Sequence, residues 1–295
     1  MDQVELVRDF NRYYTRRMGV LTDRYLGLQR PLAEARLLFE IGAGAKAMKS
    51  LRSNGVEVRE LRARLGLDSG YLSRLLRSLE TQGLVEVAEQ PGDRRVRIAC
   101  LTQDGVRELA DLDTRSRESV HALLEPLSPV QRERLIAAQD QLRRLLRLAA
   151  IDIVQVDDAT EVARECLWTY AAELQERFPG GFDVTTLTPP GQLMLLVAWE
   201  DGGAVGCVAW RRLGPEVAEV RHLWVSSRAR GIGLGRRLLQ EIEADAAAHG
   251  FTTIRLGTHL VLTEAIALYR SSGYREIAPF DGSPYNQVFL EKELG

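Results

Sequence analysis

Apolar residues in the first half of the chain recur every three to four positions, which is the period of an amphipathic helix. Within 71–82, for example, leucines at positions 72, 75, 76 and 79 predict the face that packs into a core. The period predicts helices over 4–26, 31–42, 56–65, 71–82, 102–125 and 128–147. Alternation predicts two short strands, 84–88 and 96–101, joined by a turn at 90–95. The first half is therefore predicted to be mainly helical, with one hairpin.

Polar residues at two predicted helix starts agree with this period. Asp68 or Ser69 can cap the helix over 71–82 by accepting from its first free N–H groups. Ser128 and Gln131 have the spacing of a capping box at the start of the last helix. Local side-chain chemistry and apolar spacing thus indicate the same helix starts.

Strands and helices alternate in the second half. The predicted elements are strand 151–156, helix 158–177, strands 193–200, 204–211 and 217–225, helix 236–249, strand 253–257, helix 263–272 and strand 287–293. Asp158, with Glu161 three residues later, is predicted to cap the first helix, and 178–191 is predicted to be a loop. The order predicts an α/β fold that begins with almost no linker.

The length of 295 residues suggests two domains, predicted here as 1–148 and 149–295. No apolar run is long enough for a membrane span and the first residues are polar, so no membrane association, no signal peptide and a cytoplasmic location are expected. The three cysteines are expected to be reduced thiols, and the four histidines lack metal-ligand spacing, so no metal is expected. Residues 1–150 carry about +5 and 151–295 about −7, so the first half suits a polyanionic partner.

Residues 56–101 have the order helix, tight turn, helix and basic hairpin, which predicts a winged helix-turn-helix. The second helix would enter the major groove, with Arg74 as the candidate for a base-edge contact. Arg94 or Arg95 at the hairpin tip would enter the minor groove or contact phosphate, and Asp93 would brace an arginine. The predicted DNA-binding residues are Ser69, Tyr71, Ser73, Arg74, Arg77, Arg94 and Arg95.

Segments 67–76, 79–85 and 93–95 resemble the MarR family of bacterial transcription factors, and the resemblance covers roughly 4–147. It implies a homodimer that joins through helices 4–26 and 128–147 and binds a pseudo-palindromic operator in double-stranded DNA. Winged helices also serve as protein-interaction modules, and a fused enzyme could keep one for dimerisation alone. These alternatives stay open.

Three glycines, Gly231, Gly233 and Gly235, lie between a predicted strand and a predicted helix. Such a loop lets the backbone approach a ligand and directs several amides to one point, which indicates a pyrophosphate site. Arg236 stands where a dinucleotide fingerprint needs its last glycine, and no Gly-Lys-Ser/Thr is present. A glycine-rich loop without a ligand is the simpler alternative.

The loop resembles the acetyl-CoA signature of the GNAT N-acetyltransferases, Gln/Arg-x-x-Gly-x-Gly/Ala. It can be read from Arg228 or from Arg230, and the second frame is preferred because Gly235 then directly precedes the helix. A second segment, 262–274, resembles the family's Asn-x-x-Ala-x-x-Leu-Tyr-x-x-x-Gly-Phe, with Leu262 in place of the asparagine. The resemblance covers about 150–294 and implies the GNAT fold and acetyl-CoA as cofactor.

The same resemblance implies the site residues. Backbone groups of the strand ending at Val225 would pair with the pantetheine arm, a backbone N–H near Leu223 would stabilise the oxyanion, and Tyr269 would protonate the departing thiolate. The cofactor-binding residues would be Leu223, Trp224, Val225, Arg230, Gly231, Ile232, Gly233, Leu234, Gly235 and Arg236.

Proton removal from the amine is less tightly specified. Glu219 is a candidate base, with solvent as the alternative. Arg221 shares the face of Glu219 by period two and could pair with it or hold a carboxylate of the acceptor, while His222 is predicted on the opposite face.

Together these features predict a regulator that binds promoter DNA and also transfers acetyl to an amine. The alternative is a DNA-binding regulator whose GNAT domain only senses acyl-CoA or a metabolite, which the substitution at Leu262 favours. Small amines, amino acids, antibiotics and protein lysines stay open as acceptors, and coupling between the domains is a hypothesis from the short junction.

Overall fold

The computed structural model describes residues 2–18, 30–47, 55–90 and 93–295, without the side chains of 44–47 and 94. Internal contacts divide the chain into two compact units, Met1–Arg134 and Leu135–Gly295. The predicted boundary at 148/149 stays a prediction, because one helix, Pro129–Ala149, runs through this division. No helix in the described ranges has both the length and the apolarity needed to cross a membrane.

The first unit is mainly helical, with a small antiparallel sheet. Its elements are α1 (Gln3–Arg17), α2 (Leu32–Ala47), β1 (Gly55–Glu57), α3 (Val58–Leu65), α4 (Ser69–Thr81), β2 (Val85–Gln90), β3 (Asp93–Leu101), α5 (Gln103–Leu124) and the start of α6 (Pro129–Ala149). The sheet order is β1-β3-β2. The sequence missed β1, whose residues pair with β3 (Val56 opposite Ala99), so the helix predicted over 56–65 begins later.

Two predictions fall partly outside the described residues. The helix predicted over 4–26 is present as α1, and its part beyond residue 18 is not described. The turn predicted at 90–95 is too long, because Gln90 belongs to β2 and 93–95 belong to β3, where Gln90 pairs with Asp93. Residues 91 and 92 lie outside the described part of the chain.

Helix α4 is held by its cap and by its apolar face. The Asp68 carboxylate accepts a hydrogen bond from the Tyr71 N–H at 2.8 Å, which confirms the predicted cap. The four predicted core leucines of α4 are all buried. At the start of α6, the Ser128 N–H donates to the Gln131 side chain at 2.9 Å, which confirms the capping box.

A buried polar network holds α4 against its neighbours. The Arg30 guanidinium donates to Glu34 at 3.0 Å and to Glu108 at 2.9 Å. Glu34 also accepts from the Ser78 hydroxyl at 2.7 Å and from the Gln82 amide at 3.2 Å. Because Ser78 lies on α4, the network helps fix the orientation of this helix.

The second unit is a seven-stranded sheet between helices. Its elements after α6 are β4 (Asp152–Asp157), α7 (Glu161–Arg177), β5 (Met194–Glu200), β6 (Gly203–Arg212), β7 (Val217–Val225), α8 (Leu234–Ala248), β8 (Thr253–Thr258), α9 (Thr263–Ser271), β9 (Arg275–Glu276) and β10 (Val288–Glu293). The strand order is β4-β5-β6-β7-β8-β10-β9, in which β7 and β8 run parallel and the other pairs are antiparallel. The two-residue β9 was not predicted.

Period two along the central strands separates two buried layers. On β5, Leu196 and Ala198 pack into the cluster that contains α8, whereas Leu195 and Val197 pack into the cluster that contains α7 residues. Both faces of the sheet are therefore covered by helices, as the apolar runs of these strands require.

Two predicted helix starts are wrong in detail. Thr160, not Asp158, caps α7: its hydroxyl oxygen accepts a hydrogen bond from the Ala163 N–H at 3.3 Å. Asp158 instead accepts from the backbone N–H groups of 191–193 at 2.7–3.2 Å and so anchors the loop between α7 and β5. Helix α8 begins at Leu234, so Gly235 lies in its first turn rather than before it.

The parallel pair β7 and β8 separates soon after it begins. The two strands are paired only over Val217–Glu219 and Thr253–Arg255. On its other side β7 pairs with β6, with a register shift between Cys207 and Ala209, where His222 has a φ of 55°. A bulge of this kind bends the strand, so β7 leaves an open edge toward β8 beyond Glu219.

Candidate functional site

A groove of about 450 Å³ opens at the end of β7. The residues that line it are Tyr170, Glu173, Leu174, Arg177, Leu223, Trp224, Val225, Ala229, Arg230, Gly231, Gly233, Leu234, Gly235, Arg236, Leu262, Glu264, Ala265 and Leu268. They come from α7, the end of β7, the glycine loop and α9. The open strand edge, the loop and a helix start thus border the same space.

The glycine loop has the backbone that a phosphate site requires. Gly231 has a φ of 76° and Gly233 a φ of 96°, in the left-handed region that favours glycine. Gly233 is the residue before α8, so the free N–H groups and the positive dipole end of this helix lie at the groove. A pyrophosphate group fits this donor set.

The predicted cofactor residues converge on the groove with one exception. Leu223, Trp224, Val225, Arg230, Gly231, Gly233, Leu234, Gly235 and Arg236 all line it. Ile232 does not, because its side chain is buried in the core of the sheet and α8. Its side chain anchors the loop.

Two acidic residues of the groove were missed by the sequence analysis. Glu173 accepts from Arg230 at 2.6 Å and from the Trp224 indole at 3.1 Å. Glu264 accepts from Arg177 at 2.9 Å. Both carboxylates lie on helices whose polar positions look like ordinary surface in the sequence. Two of the three arginines that line the groove, Arg177 and Arg230, are therefore paired with the chain's own carboxylates, whereas Arg236 donates to the Ser271 hydroxyl at 2.8 Å.

A smaller cavity of about 100 Å³ adjoins the groove and shares Tyr170, Leu174, Leu223, Leu262 and Ala265 with it. Its lining also includes Phe178, Phe182, Thr186, Val220, Arg221, His222, Leu256, Gly257, Thr258, His259, Tyr269, Ser283, Tyr285 and Asn286. The five shared residues make the two spaces direct neighbours.

Tyr269 lies in the wall of this cavity. Burial raises the pKa of its hydroxyl above the ordinary value, and the nearby Tyr170 adds to the rise. The Tyr269 hydroxyl is therefore protonated throughout the neutral range. Tyr170, which the sequence analysis missed, lines both spaces, and burial raises its pKa to about 12.

Glu219 lies apart from both spaces. Its side chain is 0% exposed, and its carboxylate accepts from Arg211 at 2.6 Å and from Arg221 at 3.0 Å. It is absent from the linings of the groove and the cavity. This placement gives no support to the prediction that Glu219 is the base, and it agrees with the alternative pairing to Arg221.

His222 and Arg221 both line the cavity, although period two predicts opposite faces. The bulge in β7 accounts for the difference, because it breaks the alternation at this point. His222 is 7% exposed, and its Nε2 has no hydrogen-bond partner among the described residues. Burial, with Arg221 and Arg211 nearby, lowers the pKa of His222 to about 3, so the imidazole is neutral.

The start of α9 also borders both spaces. Leu262 precedes the helix and has no side-chain cap hydrogen bond. A leucine offers neither a cap nor a polar contact to a ligand, and its side chain adds apolar surface to the walls of the groove and the cavity.

A second candidate site lies on the first unit. The predicted residues of α4, Ser69, Tyr71, Ser73, Arg74 and Arg77, are all exposed. The Arg74 guanidinium lies over the Tyr71 ring, 5.7 Å from its centroid. Such a free polar face is what a recognition helix requires.

The hairpin beside α4 contributes further arginines. A cleft of about 580 Å³ is bordered by α3, α4 and β3, and its lining includes Arg59, Arg62, Arg95 and Arg97. Three of these four, all but Arg95, were not among the predicted residues. Asp93 accepts from the Arg95 backbone N–H at 3.0 Å, so it braces the chain at the hairpin. The side chain of Arg94 lies outside the described part.

Residues 156–274 match the family model described as the acetyltransferase (GNAT) family. The chain is 38% identical over 118 residues to the IAA acetyltransferase of Azospirillum brasilense, covering 38% of this chain and 74% of that protein. The chain belongs to the GNAT acetyltransferase family. Residues 26–96 match the MarR family model, so this GNAT protein also carries a MarR family domain, and the predicted fusion is confirmed.

Other relatives and solved structures are similar to part of the chain. The chain is 34% identical over 96 residues to the human N-acetylaspartate synthetase, covering 32% of each protein. Among solved structures, an acyl-CoA N-acyltransferase from Klebsiella pneumoniae covers 50% of this chain and 99% of its own, with 28% identity and a TM-score of 0.43. A GCN5-related N-acetyltransferase from Kribbella flavida covers 50% and 99%, with 23% identity and a TM-score of 0.40.

Proposed function

We propose that the GNAT part transfers an acetyl group from acetyl-CoA to the amine of a small acceptor. The observation that carries the proposal is the groove bordered by Gly231, Gly233 and the start of α8, next to an open edge of β7. The match to the acetyltransferase family model and the similarity to the IAA acetyltransferase support the reaction class.

Acetyl-CoA supplies a thioester, whose carbonyl carbon forms a bond to the amine nitrogen while its C–S bond breaks. Backbone N–H groups at Gly233 to Gly235 hold the diphosphate, and the free edge of Leu223 to Val225 pairs with the pantetheine arm. The amine gives up one proton, and the thiolate gains one.

Tyr269 donates the proton that the thiolate gains. Its raised pKa keeps the hydroxyl protonated, so the donor form is present at neutral pH. The amine proton passes to solvent, since Glu219 is enclosed by its arginines. Solvent returns a proton to the Tyr269 phenolate, which restores the donor for the next turnover. The products are the N-acetyl acceptor and free CoA.

The decisive experiment is a free-thiol assay over an amine panel with acetyl-CoA, run beside calorimetric titration of acetyl-CoA. Release of CoA that depends on an amine, together with the mass of an N-acetyl product, supports the enzyme. Binding of acetyl-CoA without amine-dependent release would favour the sensor alternative, in line with the apolar Leu262. A Glu176→Gln variant is the control, because Glu176 is exposed on α7 and lies outside the groove lining.

The MarR part is proposed to bind double-stranded DNA through α4 and the hairpin. The exposed polar face of α4 and the arginine-lined cleft beside it support this. We also propose that two copies of the chain dimerise through α1 and α6. Exposed apolar residues on α1 and α6 support it: Val4, Leu6, Val7, Phe10, Tyr13, Tyr14, Val130, Ile136, Leu142, Leu145 and Leu146.

DNA binding is tested with duplexes selected by the full-length chain from a random-sequence library. Arg74→Ala is expected to reduce discrimination between selected and scrambled duplexes by about 1–3 kcal/mol. Arg95→Ala is expected to weaken binding to both and to reduce the salt slope by about one. Arg117→Ala is the control, since Arg117 is exposed on α5 and paired with Asp113. No enrichment of any duplex would refute the proposal.

A further inference from the structure

The cavity beside the groove has an unusual balance of charge for a site that receives an amine. None of the described residues that line it is an aspartate or a glutamate. Its one fully charged lining residue is Arg221, whose Nη1 donates to Glu219 at 3.0 Å. A guanidinium has five donor N–H groups, and Glu219 accepts from one nitrogen of Arg221.

The single carboxylate behind the cavity does not neutralise its arginines. Glu219 is shared by Arg211 and Arg221, and no other described acidic side chain pairs with either arginine. One buried carboxylate and two guanidinium groups together carry a net charge of +1. At short range and with little solvent, such an excess attracts an anion and repels a second cationic group on the acceptor.

His222 supplies a second, independent sign of a ligand. Its Nε2 is buried in the wall of the same cavity and has no hydrogen-bond partner among the described residues. A buried polar atom of this kind normally has one. The left-handed backbone of His222, at a φ of 55°, is maintained at the bulge of β7, which directs the ring into the wall. A neutral imidazole here can exchange a hydrogen bond with an amine.

Aromatic rings form another part of the cavity wall. Phe178 stacks on His259 at 4.4 Å between ring centroids, and Phe182 packs on Tyr285 at 4.8 Å. With a volume of about 100 Å³, the cavity suits a compact molecule. A small apolar amino acid has three parts that these groups match: the rings suit its side chain, the arginine its carboxylate and the unpartnered histidine its amine.

We propose that the acceptor is an α-amino acid with an apolar side chain, whose carboxylate binds Arg221 and whose amine contacts His222 Nε2. This rests on the proposed acetyl transfer and narrows its acceptor. It excludes polyamines and peptide-bound lysine, which bring a cation and no carboxylate to the cavity.

The test compares L-leucine, L-leucinamide and isopentylamine with acetyl-CoA, by release of CoA and by product mass. Leucine is expected to have a kcat/KM at least tenfold above that of leucinamide, which lacks the carboxylate. L-lysine and putrescine are expected to be poorer still than leucinamide. This comparison needs no variant, so it does not depend on whether a mutant folds.

Variants then assign the carboxylate to Arg221. Arg221→Gln is expected to lower the leucine-to-leucinamide ratio of kcat/KM at least tenfold, and Arg221→Lys to restore part of it. Taking the ratio removes differences in amine basicity between the substrates. Arg164→Gln, at an exposed position of α7 outside the cavity lining, is the matched control. Titration of acetyl-CoA into each variant checks that the groove is intact.

Transfer to isopentylamine or putrescine with no preference for leucine would overturn the proposed acceptor and leave the acetyltransferase standing. An unchanged ratio in Arg221→Gln would overturn the assignment to Arg221. Failure of every amine to release CoA would refute the acetyl transfer itself, and the acceptor with it.

Discussion

Glu173 accepts a hydrogen bond from Arg230 at 2.6 Å inside the groove that the glycine loop borders. Arg230 also donates from Nε to the Val225 carbonyl at 3.0 Å, so this side chain joins α7 to the end of β7. A cation beside the proposed diphosphate site is thus held by an internal carboxylate. Binding of the diphosphate has to compete with Glu173 for Arg230.

Replacing Glu173 by Gln is expected to lower the KM for acetyl-CoA about threefold, with kcat little changed. The substitution removes a negative charge next to the diphosphate, and partly exposed charge pairs have energies of about 0–1 kcal/mol. The diphosphate is remote from the bond that breaks, so the substitution should affect binding of the ground state and of the transition state equally. Steady-state kinetics at fixed acceptor and varied acetyl-CoA measure it, with Glu176→Gln as control. A higher KM would mean that Glu173 mainly positions Arg230.

Gly233 and Gly235 form a matched pair for the loop. Gly233→Ala puts an L side chain at a φ of 96°, which costs about 1–2 kcal/mol, and should weaken binding of CoA. Gly235→Ala is expected to fold and to bind CoA, because its Cβ would meet Leu268 and Val225 at 3.5 and 3.7 Å, which is ordinary contact. Thermal unfolding with and without CoA measures both effects. Equal losses in the two variants would contradict the difference in backbone conformation.

Residues that cap helices correctly predicted where two helices begin. Asp68 and the pair Ser128 and Gln131 mark helix starts that the structure confirms. The strand β1 could not be found in this way, because three residues become a strand only by pairing with β3 far along the chain. Asp158 failed for a similar reason, since its carboxylate binds a loop more than 30 residues away instead of its own helix.

In the site, too, the features set by neighbouring residues were predicted and those set by distant contacts were not. The glycine loop is a local pattern with a local backbone requirement, and the sequence located it. Tyr170 and Glu173 reach the groove only because α7 packs beside the end of β7. The joint presence of Arg221 and His222 in one cavity depends on a bulge, which arises from the register with β6 and leaves no mark in the spacing.

Tyr269→Phe is expected to lower kcat about 10- to 100-fold with little change in the KM for acetyl-CoA, since the phenol acts on the departing thiolate. Because burial raises the pKa of this hydroxyl, loss of its proton should cause no fall in rate as pH rises to 9. Tyr274→Phe is the control: Tyr274 packs on Tyr269 at 5.7 Å but lines neither the groove nor the cavity. A similar loss in both variants would point to packing instead of proton donation.

Glu34→Ala is expected to destabilise the first unit by about 3 kcal/mol, because it leaves Arg30 in a buried position without one of its partners. It also removes the acceptor of the Ser78 hydroxyl and so loosens α4. Urea unfolding followed by circular dichroism measures the loss, and affinity for the selected duplex should fall in parallel. Glu60→Ala, which breaks an exposed pair with Arg64, should change stability by less than about 0.5 kcal/mol. Comparable losses in the two variants would contradict a role for burial.

His222 is expected to make the second unit less stable in mild acid. Burial, Arg221 and Arg211 lower the pKa of the folded side chain to about 3, against an ordinary value of 6.5 in the unfolded chain. Below pH 6.5 the unfolded state therefore binds a proton that the folded state does not, so stability falls as pH falls from 6.5 toward 3. At pH 5 this loss is about 2 kcal/mol relative to pH 7.5.

His222→Asn should remove this part of the pH dependence, and asparagine tolerates the left-handed backbone at this position. All four tryptophans lie in the second unit, so urea unfolding followed by their fluorescence at pH 7.5 and 5 measures its stability. His249→Asn, at an exposed histidine, is the control. Wild-type and His222→Asn proteins that lose the same stability between these pH values would show that the imidazole is protonated in the folded state.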